Sequence, residues 1–217
     1  QSIWLMTIDP LSDRKILDSW HKNAQPWIRA IQEEQIESRK LVTDQAIVQA
    51  IADQRPATVL DLGCGEGWLT RTIAAMGMDV LGVDAIPALI EQAQSQGGQF
   101  EGLTYEAIAR GMLRQTFDLV VANFSLLGKE SVQGLFATMH SLLNPGGYFI
   151  VQTIHPVCGC GNRPYQDGWR EGSWAGFSTD FTDPAPWYFR TIESWVRLYV
   201  EQGLILQEIR EPLHPRT

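Results

Sequence analysis

The chain has 217 residues, 44% of them hydrophobic, and a formal net charge of −8; this length suits one full domain with about 60 residues of appendages. The acidic balance and the lack of a Lys/Arg cluster argue against a nucleic-acid partner, and no apolar run reaches the roughly 18 residues of a membrane span. An odd count of three cysteines argues against a secreted disulfide scaffold and predicts a reducing, cytoplasmic location.

The first 56 residues carry a helical hydrophobic pattern and are predicted to form an N-terminal cap. A first helix begins near Leu11, and Pro26 marks the place where a second one starts, because proline in a first turn loses no needed donor. Thr43 has the features of a cap for a third helix, which Pro56 ends. The helical pattern thus runs from Leu11 to Gln54, within a cap predicted over residues 1–56.

Residues 57–154 alternate short apolar strands with amphipathic helices, which predicts a doubly wound α/β domain. Each strand is a nearly continuous apolar run, the pattern of a mostly parallel sheet that helices cover on both faces. The predicted strands are 58–62, 80–84, 100–104, 117–122 and 148–154, and the predicted helices are 67–77, 87–96 and 132–143.

Residues 155–190 interrupt this rhythm with eight aromatic residues and frequent glycine and proline. A long aromatic insertion in a compact domain is more often a lid or a binding loop than a plain connector. Residues 191–217 then return to the core with a helix over 192–202 and a strand over 204–209. We therefore expect an aromatic lid between the fifth strand and the last helix.

Three alternating glycines, Gly63, Gly65 and Gly67, separate the first predicted strand from its helix. Glycine permits positive φ and close approach of a ligand to the backbone, and the amides at the start of the helix point into such a loop. A tight turn with no ligand is the simpler interpretation. The spacing favours a ligand-binding loop.

The acids around this loop decide between two ligands. A dinucleotide fingerprint requires a third glycine where this chain has Trp68, although Asp84 stands at the distance expected for a ribose-binding acid. Asp61, just before the loop, is badly placed for a pyrophosphate and suits a ligand that carries an amino group. These charges favour a nucleoside without phosphates over NAD.

Four motifs in order resemble those of the class I S-adenosylmethionine-dependent methyltransferases. They are residues 59–67, 81–84, 117–122 and 142–147, and together they span roughly 57–153. The resemblance implies a Rossmann-like, seven-stranded sheet with S-adenosylmethionine across the carboxyl ends of its strands. The family's final antiparallel strand has no clear counterpart after Pro212.

The resemblance also assigns residues to the cofactor's methionyl and ribose parts. It implies that Gly63, Cys64 and Gly65 line the methionyl part and that Asp61 lies near its amino group. Asp84 would hold the ribose hydroxyls. S-adenosylhomocysteine would be the product left on these residues.

Further residues are implied at the adenine and the sulfonium. Ala85 and Ile86 would lie beside the adenine, and Asn123 and Phe124 would lie under the sulfonium. The family often has an acid after the third strand that meets the adenine amino group. By that comparison the candidates here are Glu106, with its carboxylate, and Ala107, with its backbone amide.

His155 is the candidate general base, because it follows the fifth strand on the face where such sheets bind ligands. An equal alternative is a histidine that only binds loop backbone. Tyr165 and Asp167 are weaker options in the lid. Cys158 and Cys160 near His155 invite a metal interpretation, but no second ligand pair follows, so no metal is predicted.

The tryptophans of the N-terminal cap allow two interpretations. Trp20 and Trp27, seven residues apart, would either place an indole face near the sulfonium or form a core-facing helical stripe. The lid aromatics likewise either pack on each other or receive a flat, apolar acceptor. Arg163 and Arg170 would then pair with an acidic group on that acceptor.

The sequence therefore predicts a methyltransferase that acts on a small molecule by in-line transfer. Such a reaction depends on near-attack geometry in a dry pocket and needs a base only if the acceptor must lose a proton early. Two alternatives stay open at this point. One is an NAD(P)-linked oxidoreductase on a similar fold, and the other is a non-catalytic cofactor-binding protein.

Overall fold

A computed structural model describes residues 8–215 and has a parallel five-stranded sheet at its centre. The strand order is β3-β2-β1-β4-β5, so it reverses between β1 and β4, where such sheets bind ligands outside the strands' carboxyl ends. The Rossmann-like α/β prediction is confirmed. The strands are β1 (Thr58–Leu62), β2 (Asp79–Asp84), β3 (Gln99–Gly102), β4 (Phe117–Asn123) and β5 (Leu143–Gln152).

Helices cover both faces of the sheet, because alternate residues of the strands point to opposite sides. Leu60 and Val120 enter one core cluster, while Val59 and Val121 enter the other. The helices are α1 (Asp13–Gln32), α2 (Asp44–Gln54), α3 (Trp68–Ala75), α4 (Pro87–Ser95), α5 (Tyr105–Ala109), α6 (Glu130–Leu142), α7 (Pro156–Cys160) and α8 (Ile192–Glu201).

The N-terminal cap differs from the prediction in two places. Helix α1 runs through Pro26 without a break, and the proline is buried, so packing outweighs the hydrogen bond that its missing N–H removes. Residues 39–43 form a π-helical turn that leads into α2, and Thr43 makes no side-chain cap. The predictions of a helix start at Pro26 and of a cap at Thr43 are wrong.

Helix α1 packs against α4 and so lies next to the end of β2. Its residues Ala24 and Ile28 form a buried cluster with Ile86 and Leu89. At about 25 cal/mol per Å² of buried apolar surface, such a contact anchors the cap to the core. The sequence analysis had assigned Ile86 to the adenine side of the site, which places α1 beside that region.

The C-terminal part of the sheet also differs from the prediction. Residues 204–214 form neither helix nor strand, and Ile205 and Ile209 are 86% and 63% exposed, so the predicted strand over 204–209 is wrong. In the described part of the chain β5 is the edge of a five-stranded sheet. Helix α8 is confirmed one residue shorter than predicted.

The lid contains structure that the sequence analysis did not predict. Strands β6 (Gly168–Arg170) and β7 (Trp187–Phe189) pair antiparallel, and the short α7 precedes them. The amide of Tyr188 donates to Leu127 O, so β7 lies on the loop after β4. Between residues 8 and 215, no helix is both long enough and apolar enough to cross a bilayer.

Candidate active site

The glycine loop between β1 and α3 folds back on the end of β2. Gly63, Gly65 and Gly67 have φ of +70°, +59° and +88°, a region that glycine enters without a steric penalty. The amides of Gly63 and Cys64 donate to Val83 O at 2.8 and 3.0 Å. These bonds fix the loop at the carboxyl end of the two central strands.

Two of the three glycines are required by packing. A Cβ on Gly63 would lie 2.4 Å from the Cβ of Ser125, and a Cβ on Gly67 would lie 2.5 Å from the ring of Phe100. Neither position has room for a side chain. Both glycines therefore serve the close approach of the loop to its neighbours in the fold.

Gly65 is half-buried, and of the three glycines it alone has room for a Cβ. The nearest atom to a Cβ placed there is the indole nitrogen of Trp27, at 3.8 Å. Trp20 packs edge-on against Trp27 with ring centroids 5.2 Å apart, and it reaches the lid through Trp174 at 5.9 Å. Of the two tryptophans named in the sequence analysis, the described contacts thus place Trp27 next to the loop, while Trp20 lies between Trp27 and the lid.

Asp84 connects the loop to the end of β2. One carboxylate oxygen accepts the amide of Gly65 and the other accepts the amide of Ile86, each at 2.9 Å. Burial raises the pKa of Asp84 even though these two amide hydrogen bonds act in the opposite direction. The carboxylate therefore lies beside Gly65, where the sequence analysis had placed a ribose-binding acid.

Asp61 is the second acid of the site and is almost fully buried. It is 1% exposed and accepts a hydrogen bond from the hydroxyl of Thr70 at 2.7 Å. Burial raises the pKa of Asp61 to about 7, and the negative charges of Asp84 and Glu66 act in the same direction. The described contact of Asp61 is thus with α3 on the inner side of the loop.

Glu66 differs from these two acids because it has a cationic partner. Its carboxylate lies 2.6 Å from the guanidinium of Arg71 and also accepts the amide of Trp68 at 3.1 Å, which caps α3. A buried pair of this kind carries little net charge. The hydrogen bonds described for Asp61 and Asp84 come from a hydroxyl and from backbone amides, so the acidic charge at the loop comes from these two carboxyl groups when they are ionised.

The end of β4 is held by side-chain hydrogen bonds. Asn123 accepts the side-chain amide of Gln152 at 2.6 Å, and the amide of Phe124 donates to Gln152 O at 2.8 Å. Ser125 then donates to Leu62 O at 2.6 Å, which ties this segment to β1. Phe124 has a φ of +53° and is 36% exposed, so a strained residue presents its ring at the carboxyl edge of the sheet.

The segment after β3 corrects one assigned contact. Thr104 caps α5, and its hydroxyl accepts the amide of Ala107 at 3.1 Å. This amide already has an acceptor, so the prediction that it is free to bind the adenine is wrong. Glu106 lies half-buried in the first turn of α5, and its role as an adenine contact stays a prediction.

A cleft of about 290 Å³ opens beside these segments. Its size is near the lower end of the roughly 300–1,000 Å³ of small-molecule pockets. The cleft lies between the ends of β2 and β3 and helix α4, and no residue of the glycine loop is among its lining residues. Its lining residues are Ala85, Pro87, Ile90, Glu91, Gly102, Leu103 and Thr104.

Both ring nitrogens of His155 are engaged. Nδ1 accepts the amide of Val157 at 3.2 Å, which caps α7, and Nε2 lies 2.6 Å from the carboxylate of Glu211. A general base needs a free lone pair, whereas this ring uses its lone pair on Val157 and its N–H on Glu211. The structure therefore contradicts a free base at His155 and gives the residue the capping role.

We expect His155→Ala to lower the free energy of unfolding by about 0.5–2 kcal/mol, because the cap of α7 is lost. His155→Asn is the matched control, since asparagine is a strong N-cap and should retain most of the stability. Urea unfolding of both variants measures the difference. An equal loss in the two variants would refute the capping role.

The weaker base candidates and Arg170 also have structural partners. The hydroxyl of Tyr165 accepts the amide of Ile192, and Asp167 accepts the amide of Thr191, both at 2.9 Å, so they hold the start of α8. Arg170 donates to two lid carbonyls at 3.1 Å. The prediction that Arg170 is available for an acidic acceptor is not supported by these contacts.

The cysteines near His155 do not assemble with other donors. Cys158 and Cys160 are free thiols, and the Cys160 thiol lies 2.8 Å from Arg163 O. Within residues 8–215 no group of three or more His, Cys, Asp or Glu side chains is arranged to hold a metal ion.

Three residues at the loop were not assigned from the sequence. Thr70 and Ser125 bind Asp61 and Leu62 O through their hydroxyls, and the hydroxyl of Tyr105 lies 2.8 Å from a Cβ built on Gly63. The sequence does contain a signal for Ser125, because this residue comes two positions after β4, at the edge of the sheet where ligands bind. Thr70 and Tyr105 lie on helices, where spacing alone does not reveal them.

Comparison with known proteins gives a family match over most of the chain. Residues 32–204 match the family model described as a methyltransferase domain. A demethylmenaquinone methyltransferase from Tropheryma whipplei (strain Twist) is 32% identical over 102 residues, which are 45% of this chain and 42% of the relative. The chain thus matches less than half the length of this curated relative.

Solved structures support the same fold. An S-adenosylmethionine-dependent methyltransferase from Mesorhizobium loti is 24% identical, with a TM-score of 0.53 over 70% of this chain and 75% of that one. The plantazolicin methyltransferase BamL, solved with S-adenosylhomocysteine, is 15% identical. Its TM-score is 0.60 over 89% of this chain and 74% of its own.

Proposed function

Because the chain belongs to the class I S-adenosylmethionine-dependent methyltransferase family, we propose that it transfers a methyl group from S-adenosylmethionine to a small-molecule acceptor. The observation that carries the proposal is the charge around the glycine loop. Asp84 binds the amide of Gly65, and burial, together with the charge of Asp84, raises the pKa of the neighbouring Asp61. Two carboxylates beside one loop repel a pyrophosphate and attract a ligand with ammonium and sulfonium groups.

The residues around the loop fit such a ligand from end to end. Asp84 has carboxylate lone pairs at the end of β2 for ribose hydroxyls, and the cleft beside Ala85 has the position and shape for an adenine ring. Gly65 carries no side chain, so the methionyl chain could approach the loop once Trp27 moves aside. Asp61 lies at the end of β1, directly before the loop, from where its charge would act on the amino group of a ligand held there.

The protein's contribution to the reaction is positioning and exclusion of water. When bound, S-adenosylmethionine supplies an electrophilic methyl group. Asn123 and Phe124, at the end of β4, would hold the acceptor beside the glycine loop, and the lid would exclude water from it. His155 is engaged elsewhere, so we propose no proton transfer through it.

We propose a flat, apolar acceptor, on the basis of the aromatic lid. Trp174, Phe177 and Phe181 pack on each other with centroids 4.7–5.5 Å apart, so part of the lid is self-packed. The exposed ring of Phe124 supplies an aromatic face outside that cluster. A curated relative is named for demethylmenaquinone, a quinone-type substrate that would suit such a surface.

A thermal-shift series tests the proposal against the NAD(P)-linked alternative. We expect S-adenosylhomocysteine to raise the melting temperature and NAD(H) to leave it unchanged, because only a ligand that binds the folded state stabilises it. Stabilisation by NAD(H) alone would reject the proposal. Neither the geometry nor the comparisons favour the oxidoreductase or the non-catalytic protein.

The free thiols of all three cysteines are consistent with a cytoplasmic location, which we propose for the enzyme.

We expect Asp84→Ala to weaken S-adenosylhomocysteine binding by about 10–150-fold, the equivalent of roughly 1.5–3 kcal/mol for hydrogen bonds to a charged group. The variant loses the ribose contact and also releases the amides of Gly65 and Ile86. Isothermal titration calorimetry measures the change. Glu101→Ala, which removes an exposed acid of β3, is the comparison variant and should bind normally, and an unchanged affinity for Asp84→Ala would contradict the assignment.

A further inference from the structure

We propose that Asn23 is a positioning residue that couples the cofactor site to the lid; the inference rests on the proposed function. Asn23 is 0% exposed on α1. Its side-chain amide donates to Thr182 O at 2.7 Å, and its side-chain oxygen accepts the amide of Thr182 at 2.9 Å. This two-point bond joins α1 to the lid segment, defined here as residues 174–183.

Further contacts make α1 and the lid segment one unit. Ser19, also 0% exposed, donates to Asp183 O at 2.6 Å. Trp174 donates to Thr182 O at 3.0 Å and contacts Trp20 of α1. Buried polar groups satisfied by one specific partner fix the relative position of the elements that carry them.

Surface ion pairs also connect α1 to the lid segment, but they do not determine how the two pack. The carboxylate of Asp183 lies 2.6 Å from the amines of both Lys15 and Lys22, and Arg29 pairs with Asp180 at 2.9 Å. Exposed pairs of this kind contribute about 0–1 kcal/mol each. The buried contact of Asn23 with Thr182 is therefore the one that fixes the position of the lid segment on α1.

The other side of α1 reaches the cofactor site. Trp27 lies over Gly65, and Ile28 packs on Ile86, next to the amide that Asp84 binds. The cleft beside Ala85 opens on the adenine side, while the loop itself is covered by α1. A cofactor that spans both regions must displace Trp27, and the lid segment follows α1 because Asn23 and Ser19 hold it there.

Hydrogen exchange with S-adenosylhomocysteine as the probe tests this coupling on the full chain. In the unmodified protein we expect the probe to slow amide exchange in two places, the loop at 62–67 and the lid segment. In the Asn23→Ala variant the probe should still slow amide exchange in the loop. The lid segment should exchange about tenfold faster than in the unmodified protein and should no longer respond to the probe, since the two hydrogen bonds to Thr182 are lost.

Two further variants make the test specific. Asn23→Asp is nearly isosteric but replaces the donor to Thr182 O with a second acceptor, so it should also uncouple the lid even if Asn23→Ala fails to fold. Arg29→Ala removes only the exposed pair with Asp180, so its lid segment should respond to the probe like that of the unmodified protein. A melting curve of each variant records its stability separately from the coupling.

The outcomes separate the inference from the proposed function. If the probe slows exchange in the loop of the unmodified protein but not in its lid segment, the coupling is overturned and the methyltransferase proposal stays in place. A lid that still responds in either Asn23 variant would overturn the role of this residue. No response at either the loop or the lid would reject the proposed function, and the inference with it.

Discussion

Gly65→Val should bind no measurable S-adenosylhomocysteine yet remain folded, whereas Gly63→Ala should lose much of its stability. A valine at position 65 would point from the loop towards Trp27, whose indole nitrogen lies 3.8 Å from a Cβ built there, and so into the region that we assign to the ligand. Its backbone would also be strained by about 1–2 kcal/mol, because φ there is +59°. The binding loss is therefore steric and the stability loss moderate.

At Gly63 the effect falls on the fold instead. A Cβ would overlap the Cβ of Ser125 at 2.4 Å, so β1 and the segment after β4 must separate. Backbone strain of about 1–2 kcal/mol and overpacking of about 1–3 kcal/mol together predict a loss of roughly 2–5 kcal/mol. Urea unfolding measures this loss, and calorimetric titration measures binding in both variants.

Gly146 supplies the matched control for backbone strain alone. Its φ is +77°, nothing lies within 4 Å of a Cβ built on it, and it sits near the start of β5, at the opposite end of the sheet from the loop. Gly146→Val should lose stability to about the same extent as Gly65→Val and bind the ligand normally. Normal binding by Gly65→Val would show that the ligand does not occupy the space above the loop.

The sequence was sufficient for the central sheet because its information is local. Each core strand is an apolar run between turn residues, as in β1 and β4, and the acid at the end of β2 stands at a fixed distance from the loop. Residues 204–209, which were predicted as a strand but do not form one, are apolar in the same way as these core strands. A strand forms only where a neighbour accepts its backbone hydrogen bonds, and composition does not record that neighbour.

The roles of single polar residues depend on partners that are far apart in the chain. Asn23 meets Thr182 from 159 positions away, and His155 meets Glu211 from 56 positions away. From the sequence, a histidine that binds loop backbone and a catalytic histidine were equal alternatives for position 155. Only the fold decided between them, because burial and hydrogen-bond partners are tertiary properties.

Asp61→Asn should make the protein more stable at neutral pH and remove part of its pH dependence. The folded pKa of Asp61 is raised to about 7 from an ordinary value of 3.8, mainly by burial. Between these values the folded chain keeps a proton that the unfolded chain has lost. The stabilisation from this group is therefore complete below about pH 4 and is lost as the pH rises through 7.

Asparagine does not ionise, and its side-chain oxygen can still accept the hydroxyl of Thr70. The unfolding free energy of Asp61→Asn minus that of the unmodified protein should therefore increase from pH 4 to pH 8, by up to about 4 kcal/mol. Urea unfolding at several pH values measures the difference. A difference that stays flat over this range would contradict a buried, raised-pKa carboxylate at position 61.

Asp118 provides a control of opposite sign. Hydrogen bonds from Asn144 and from the amides of Thr58 and Ala57 lower the pKa of Asp118, so its stabilisation is present at neutral pH and is lost as the pH falls. Asp118→Asn should therefore be less stable than the unmodified protein at pH 7, and the difference should shrink toward low pH.

The same substitution at Asp61 should weaken cofactor binding, which explains why a destabilising carboxylate is useful at this position. A bound ammonium or sulfonium group favours the charged form of Asp61, so ligand binding should release the proton that the free protein holds below pH 7. Calorimetry in buffers of different ionisation enthalpy measures that release near pH 6. We expect proton release in the unmodified protein and a smaller release in Asp61→Asn; equal release in both would place the titrating group elsewhere.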